Sequence, residues 1–375
     1  MAACPHRPPC PGCPRFGEPG IASGAYRALA ELARMHGIEL TSMVSGPCHG
    51  FRQRARLAIR GRQGSPKIGL FESETHRVVH IPHCVVHHPL INRVASIVRR
   101  ALAETRATCY SDRAHLGVAR YLQVVVEQSS QSAQVVLVAN DATPAALGDC
   151  FELIRERLGA ELHSLWFNAN CDRSNVILGP AFERLHGPDS VVERFGGAAV
   201  HYPPGAFGQA NLAAAAQIIE HVRAGIPPGS RVTEFYAGVG AIGLSVLARA
   251  SALSMNEVAP QSLRGMELGL EQLDPTDRAK VRVLAGEAGA QLAAATGADV
   301  VIADPPRKGL DPQLAAHVAD APAERFIYIS CGLESFLADA ARLTATGRLR
   351  LAALTAFNLM PYTEHVETVA HFERA

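Results

Sequence analysis

At 375 residues, 48% of them apolar, the chain is long enough for two or three domains with full cores and too apolar to stay disordered. No run of about eighteen uncharged apolar residues occurs, and the N-terminus, crowded with prolines and cysteines, lacks the apolar core of a signal peptide; a soluble, cytoplasmic chain with no membrane partner is expected. The net charge of +1 excludes a uniformly basic protein, yet 33 of the 36 basic residues are arginine, which favours bidentate phosphate contacts over point-charge attraction.

The first predicted element is a metal-binding loop. Cys4, Cys10 and Cys13 form C-x5-C-x2-C, with Cys84 as a fourth thiol far downstream. Three thiols at that spacing in a cytosolic chain point to a metal rather than to disulfides. On spacing alone, zinc and an iron–sulfur cluster fit equally. Cys48, Cys109, Cys150 and Cys171 read as buried or incidental.

Residues 51–100 carry ten basic side chains against Glu72 and Glu74, a local balance of +8. Within them Phe51 to Arg60 alternates arginine with smaller residues, so a strand would line one face with Arg52, Arg54, Arg56 and Arg60. Such a face suits a phosphate backbone. Between about 110 and 195, β-like runs (Tyr121–Val126, Ala133–Val138, Ser164–Asn168, Ser174–Gly179) surround a helical stretch from Ala145 to Leu158.

The C-terminal half reads as alternating strands and helices. Arg231–Phe235 is a strand, Tyr236–Gly240 a glycine turn, and the residues from Ala241 a helix. The turn, with Gly238 at its centre, lets the backbone approach a bound ligand, and Glu257 at the end of the next apolar run suits ribose hydroxyls. G-x-G alone fits a dinucleotide turn equally. Asp304-Pro305-Pro306 follows the strand Asp299–Ala303, and its prolines stiffen a loop lacking two backbone donors. Cys331 follows the apolar run Phe326–Ile329 where a buried strand gives way to a loop, a nucleophile's position, although a lone cysteine is usually a small buried apolar residue. His365-Val366-Glu367 adds a proton acceptor near the C-terminus.

Five ordered blocks carry a family resemblance: Phe207–Asn211, Phe235–Gly240, Asp304–Gly309, Ser330-Cys331 and Met360–Glu367. Together they resemble the S-adenosylmethionine-dependent RNA uracil-C5 methyltransferases over essentially the whole chain. The resemblance implies an α/β fold: a C-terminal Rossmann-like class I methyltransferase domain (201–375), a β-rich α+β RNA-binding domain (41–200) and an N-terminal iron–sulfur loop and helix (1–40). It also implies site residues. Cys331 matches the nucleophile that adds to C6, Glu367 the general base, and Asp304 a residue beside cofactor and base. Gln209, Tyr236, Gly238 and Glu257 match S-adenosylmethionine contacts, and Glu287 falls near the adenine. Thr363 and His365 shape the loop that carries Glu367. The ribosomal-RNA members carry a [4Fe-4S] cluster on the C-x5-C-x2-C spacing with a distant fourth cysteine. This implies Cys4, Cys10, Cys13 and Cys84 as its ligands and 23S rRNA as the substrate, without the small RNA-binding barrel of some relatives. A monomer acting on an unpaired or flipped-out uridine is expected.

Three positions depart from the pattern. Glu234 replaces an aspartate, Ala241 a polar residue, and Gly332 the asparagine that usually follows the cysteine. The last two remove side-chain hydrogen bonds, so looser geometry is expected there. An iron–sulfur RNA-binding protein with a weakened or inactive methyltransferase fold is therefore the alternative to an enzyme. A methyltransferase of DNA or small molecules is disfavoured by the arginines and the thiols.

Overall fold

Apolar runs such as Val300–Ala303 and Arg325–Ser330 cannot face water on either side, so they become inner strands of a sheet covered by helices on both faces. The computed structural model describes residues 3–43 and 46–375. Its larger sheet has eight strands in the order Leu40–Met43, Leu349–Phe357, Glu367–Arg374, Arg325–Ser330, Val300–Ala303, Ser230–Phe235, Ala250–Glu257, Val281–Ala285. All pairings are parallel except those of Glu367–Arg374, which runs antiparallel to both neighbours. Leu212–Ala224, Ala241–Val246 and Pro260–Leu270 cover one face; Ser23–Met35, Pro312–Asp320 and Leu333–Thr344 cover the other. This is the Rossmann-like architecture expected for the C-terminal half.

The N-terminal helix Ser23–Met35 and the strand Leu40–Met43 belong to that sheet. Leu29, Leu32 and Ala33 pack among Val318, Leu354 and Phe372, and Leu40 pairs with Leu354. Residues 23–43 therefore pack against the C-terminal domain, a long-range pairing that no local pattern announces.

The second sheet has seven strands in the order Val78–His80, Ser65–Phe71, Arg54–Arg62, Ala119–Glu127, Ser132–Ala139, Leu162–Ala169, Ala181–His186. Only Ser132–Ala139 and Leu162–Ala169 run parallel, joined by the crossover helix Cys150–Leu158. The helix expected from Ala145 is split: Gly148, at φ 54°, ends a short 3₁₀ turn before Cys150–Leu158 begins. Ser174–Gly179 is not a strand; Asn170 Nδ2 donates to the carbonyls of Val176 and Ile177 at 2.8 and 3.0 Å and holds it as a loop.

The expected arginine face is not formed. Arg54, Arg56 and Arg60 do share one side of their strand, but other segments cover it. Arg60 is 7% exposed, forks onto both oxygens of Asp112 at 2.7 Å, and lies within about 5 Å of the Phe71, Tyr110 and Tyr121 rings. Arg54 stacks 4.0 Å over Tyr202, with its Nε and Nη2 buried. Arg52 turns toward the thiols Cys13 and Cys84. Arg56 alone of the four is exposed, and its Nε donates to Gln123 at 2.8 Å.

Arg60 is thus a structural residue. Arg60→Gln removes a bidentate charged pair and strands Asp112, at a cost of about 2–3 kcal/mol. Urea unfolding should show that loss while RNA affinity holds. Unchanged stability with weakened RNA binding would contradict the burial.

Candidate active site

Ligands of open α/β sheets sit beyond the carboxyl ends of the strands. Four parallel strands deliver Asp304, Cys331, Tyr236 with Gly238, and Glu257 to that edge. The antiparallel strand begins there with Glu367, and Ser330 pairs with Thr368, so Cys331 and Glu367 come side by side. Gln209 lies half-buried in the loop between Ala198–Tyr202 and Leu212–Ala224. Glu287 is exposed just past Val281–Ala285.

The glycine turn is held open by unusual backbone. Tyr236, Gly238 and Gly240 have φ of 60°, 57° and 80°, and only Tyr236 pays a steric penalty there. Its hydroxyl accepts from the Asp311 N–H at 2.9 Å, which fixes the ring. Glu257 accepts from the N–H groups of Gly238, Val258 and Ala259 at 2.7–2.8 Å, so its carboxylate is anchored beneath the turn. A Cβ on Gly243 would stand 2.4 Å from Glu234 Oε2; the helix start fits only because that residue is glycine. Glu234 is fully buried below, and burial followed by repulsion from Asp304 pushes its carboxyl well above the usual range.

Burial raises the proton affinity of Asp304, and burial plus repulsion from Asp304 raises that of Glu367. Glu367 is 3% exposed, with Oε1 lacking a hydrogen-bond partner. The Cys331 thiol is also pushed up, by burial and then by Glu367 and Asp304. Arg307 acts in the opposite sense on both Cys331 and Glu367. Its guanidinium lies 2.9 Å from His365 Nε2, and His365 is exposed on the loop before Glu367. Sequence reasoning gave Arg307 no role; its place three residues after Asp304 was the available signal.

Gly332 does not loosen the site. A Cβ there would meet the Arg307 carbonyl oxygen and Ser335 Oγ, both at 2.6 Å. Ser335 Oγ lies 2.8 Å from the Arg307 carbonyl and 3.0 Å from that of Gly332, so this hydroxyl ties the nucleophile loop to the Asp304 loop. Ala241 opens its helix half-buried against the core. Asn211, the last residue of the Phe207–Asn211 motif, is buried, caps Leu212–Ala224 through the Ala214 N–H at 3.2 Å, and donates to the Leu359 carbonyl at 3.0 Å.

The four thiols lie near one another, with Cys13 and Cys84 packed in the cluster that holds Tyr362 and Met360 of the loop before Glu367. Cys13 is pushed up to about 11 by burial and then by Cys84, Cys10 and Cys4, while Arg52 pulls it down. Among the described residues no three His, Cys, Asp or Glu side chains gather tightly enough to hold a single metal ion. The sequence-implied iron–sulfur segment is therefore not displayed as a formed metal site.

Residues 199–375 match the family model described as tRNA (Uracil-5-)-methyltransferase. An uncharacterized RNA methyltransferase of Protochlamydia amoebophila (strain UWE25) is 33% identical, covering 99% of this chain and 97% of its own. The chain belongs to the RNA uracil-C5 methyltransferase family. A second relative of the methyltransferase, an uncharacterized RNA methyltransferase of Geobacter sulfurreducens, is 28% identical over 85% of this chain and 65% of its own. The fold resembles the crystal structure of Pyrococcus abyssi tRNA (uracil-54, C5)-methyltransferase in complex with S-adenosyl-L-homocysteine. The TM-score is 0.75 at 22% identity, over 93% of the methyltransferase and 82% of that chain.

Two facing carboxyls make a testable mark on stability. Folding raises the Glu367 proton affinity above its unfolded value of about 4.3, so its contribution is full below that pH and lost as pH rises. Glu367→Gln abolishes the loss. The variant's melting temperature should exceed wild type by a margin that widens from pH 5 to pH 8; a margin that narrows would contradict the buried pair.

Proposed function

We propose that the protein transfers a methyl group from S-adenosylmethionine to C5 of a specific uridine in 23S rRNA, through a covalent bond from Cys331 to C6, giving 5-methyluridine. The observation that carries this reading is the pairing of Cys331 with Glu367 at the strand edge that also holds Asp304. S-adenosylmethionine supplies an electrophilic methyl group when bound, and Gln209, Tyr236, Gly238 and Glu257 would hold it.

Cys331 acts first. Its thiolate adds to C6, and the C5=C6 electron pair moves onto the carbonyl oxygen at C4, which makes C5 nucleophilic. Burial raises the proton affinity of Asp304, and in its protonated form it can donate a hydrogen bond to that oxygen as charge develops. Once C5 is methylated, Glu367 removes the C5 proton, the C5=C6 double bond re-forms, and Cys331 departs as thiolate. A carboxylate of raised basicity suits this task. Arg307 favours the charged forms of both residues.

A stacked uracil exposes neither C5 nor C6 to a half-buried thiol, so the target is unpaired or flipped out. Of Arg52, Arg54, Arg56 and Arg60, Arg56 is the exposed one and is placed to meet phosphate. Cys4, Cys10, Cys13 and Cys84 are proposed as ligands of one structural [4Fe-4S] cluster. Their mutual electrostatic reach and the Arg52 guanidinium beside Cys13 and Cys84 suit an anionic thiolate cluster. These thiols also carry the choice of ribosomal over transfer RNA.

Two measurements test the reading. Nucleoside analysis of RNA from cells with and without the gene should show 5-methyluridine lost from 23S rRNA and kept in tRNA; loss from tRNA alone would reverse the substrate. Protein purified without oxygen should be brown, with about four irons and four sulfides per chain. One zinc with no sulfide would reject the cluster.

A further inference from the structure

The loop that delivers Glu367, residues 358–366, is tied to the chain's N-terminal segment as well as to Asn211, Arg307 and the cluster of Phe51 and Val86. The backbone N–H of Arg15 donates to the Tyr362 carbonyl at 2.9 Å. Its side chain, 14% exposed, donates through Nη1 to the Thr363 carbonyl at 3.2 Å and the Gly20 carbonyl at 3.1 Å. The same guanidinium lies 3.2 Å from Glu18 and 3.8 Å from Glu364. Phe16 packs its ring 4.9 Å from that of Tyr362, and the Asn358 amide donates to the Pro19 carbonyl. Tyr362 has φ 68°, a conformation a non-glycine residue keeps only where its surroundings fix it.

Inside the loop, Thr363 Oγ1 donates to the Met360 carbonyl at 2.8 Å and accepts from the His365 N–H at 3.2 Å. Restraint therefore passes from Arg15 through Thr363 to within two residues of Glu367. The other reacting groups do not depend on it. Cys331 and Asp304 follow strands Arg325–Ser330 and Val300–Ala303 in the middle of the sheet.

We propose that Arg15 is a positioning residue for the last chemical step, in which Glu367 takes the C5 proton. In that step the C5–H pair becomes the C5=C6 bond, and the C6–S pair returns to Cys331 as thiolate. The inference rests on Glu367 being the base. Loss of the Arg15 strap leaves addition of Cys331 and methylation of C5 intact but displaces the acceptor, so the methylated adduct persists.

The test uses the full chain as wild type, Arg15→Ala, Arg15→Lys and Glu367→Gln, with RNA substrate and S-adenosylmethionine labelled in the methyl group. In Arg15→Ala, release of methylated RNA should slow roughly ten- to hundredfold, and label should accumulate in a denaturation-stable protein–RNA adduct. Arg15→Lys, which keeps one donor, should recover part of the rate. Adduct formation on 5-fluorouridine RNA, which stops before proton removal, should stay at the wild-type rate and so establish that the variant is folded. Wild-type turnover in Arg15→Ala, or equal slowing on both RNAs, overturns the proposal. Accumulation in Glu367→Gln but not in Arg15→Ala defeats the strap alone; no accumulation in Glu367→Gln defeats the base assignment beneath it.

Discussion

The site depends on one strand running against its neighbours. If Glu367–Arg374 were parallel to Arg325–Ser330 like the rest of the sheet, Glu367 would begin at the amino edge, a strand length from Cys331. Antiparallel pairing, in the register that sets Ser330 against Thr368, brings the carboxylate of Glu367 beside the nucleophile. A one-residue slip would turn Glu367 to the opposite face. The register is fixed by burial on both sides: Val369 points into one apolar cluster, Ala370 and Phe372 into the other. Packing far from the chemistry thus specifies the distance between acid, base and thiol.

That placement works against stability. Asp304 lies close enough to raise the proton affinity of both Glu234 and Glu367, and desolvation is the largest cause for all three groups. Such an arrangement persists because the helices on both faces over-determine the strand ends. The same effect that disfavours ionisation makes Glu367 a stronger base when it is charged. Arg307, tethered to His365, moderates the effect without sealing the site, since its side chain stays exposed.

Much of the C-terminal half was legible in the sequence, for physical reasons. Strand–glycine–helix units are local, and their loops put Asp304, Tyr236 and Glu257 at one edge whatever else the chain does. The arginine strand was misread because alternation assigns a face but not its cover. Tyr110 and Asp112, fifty residues downstream, close over Arg60, and Tyr202 lies beneath Arg54. Gly332 was misread in the opposite sense: a missing side chain suggested slack, whereas Arg307 and Ser335 fill the space. The joining of Leu40–Met43 to Leu349–Phe357 spans some three hundred residues and leaves no periodic trace.

The central claim is that Cys331 is the covalent nucleophile facing the base. It is tested most directly by trapping the enzyme on RNA containing 5-fluorouridine, digesting both polymers, and locating the nucleotide by peptide mass spectrometry. The account predicts a single modified peptide carrying a methylated fluorouridine on Cys331, and none from Cys331→Ala. A modified peptide lacking Cys331, or an undiminished adduct in that variant, would contradict it.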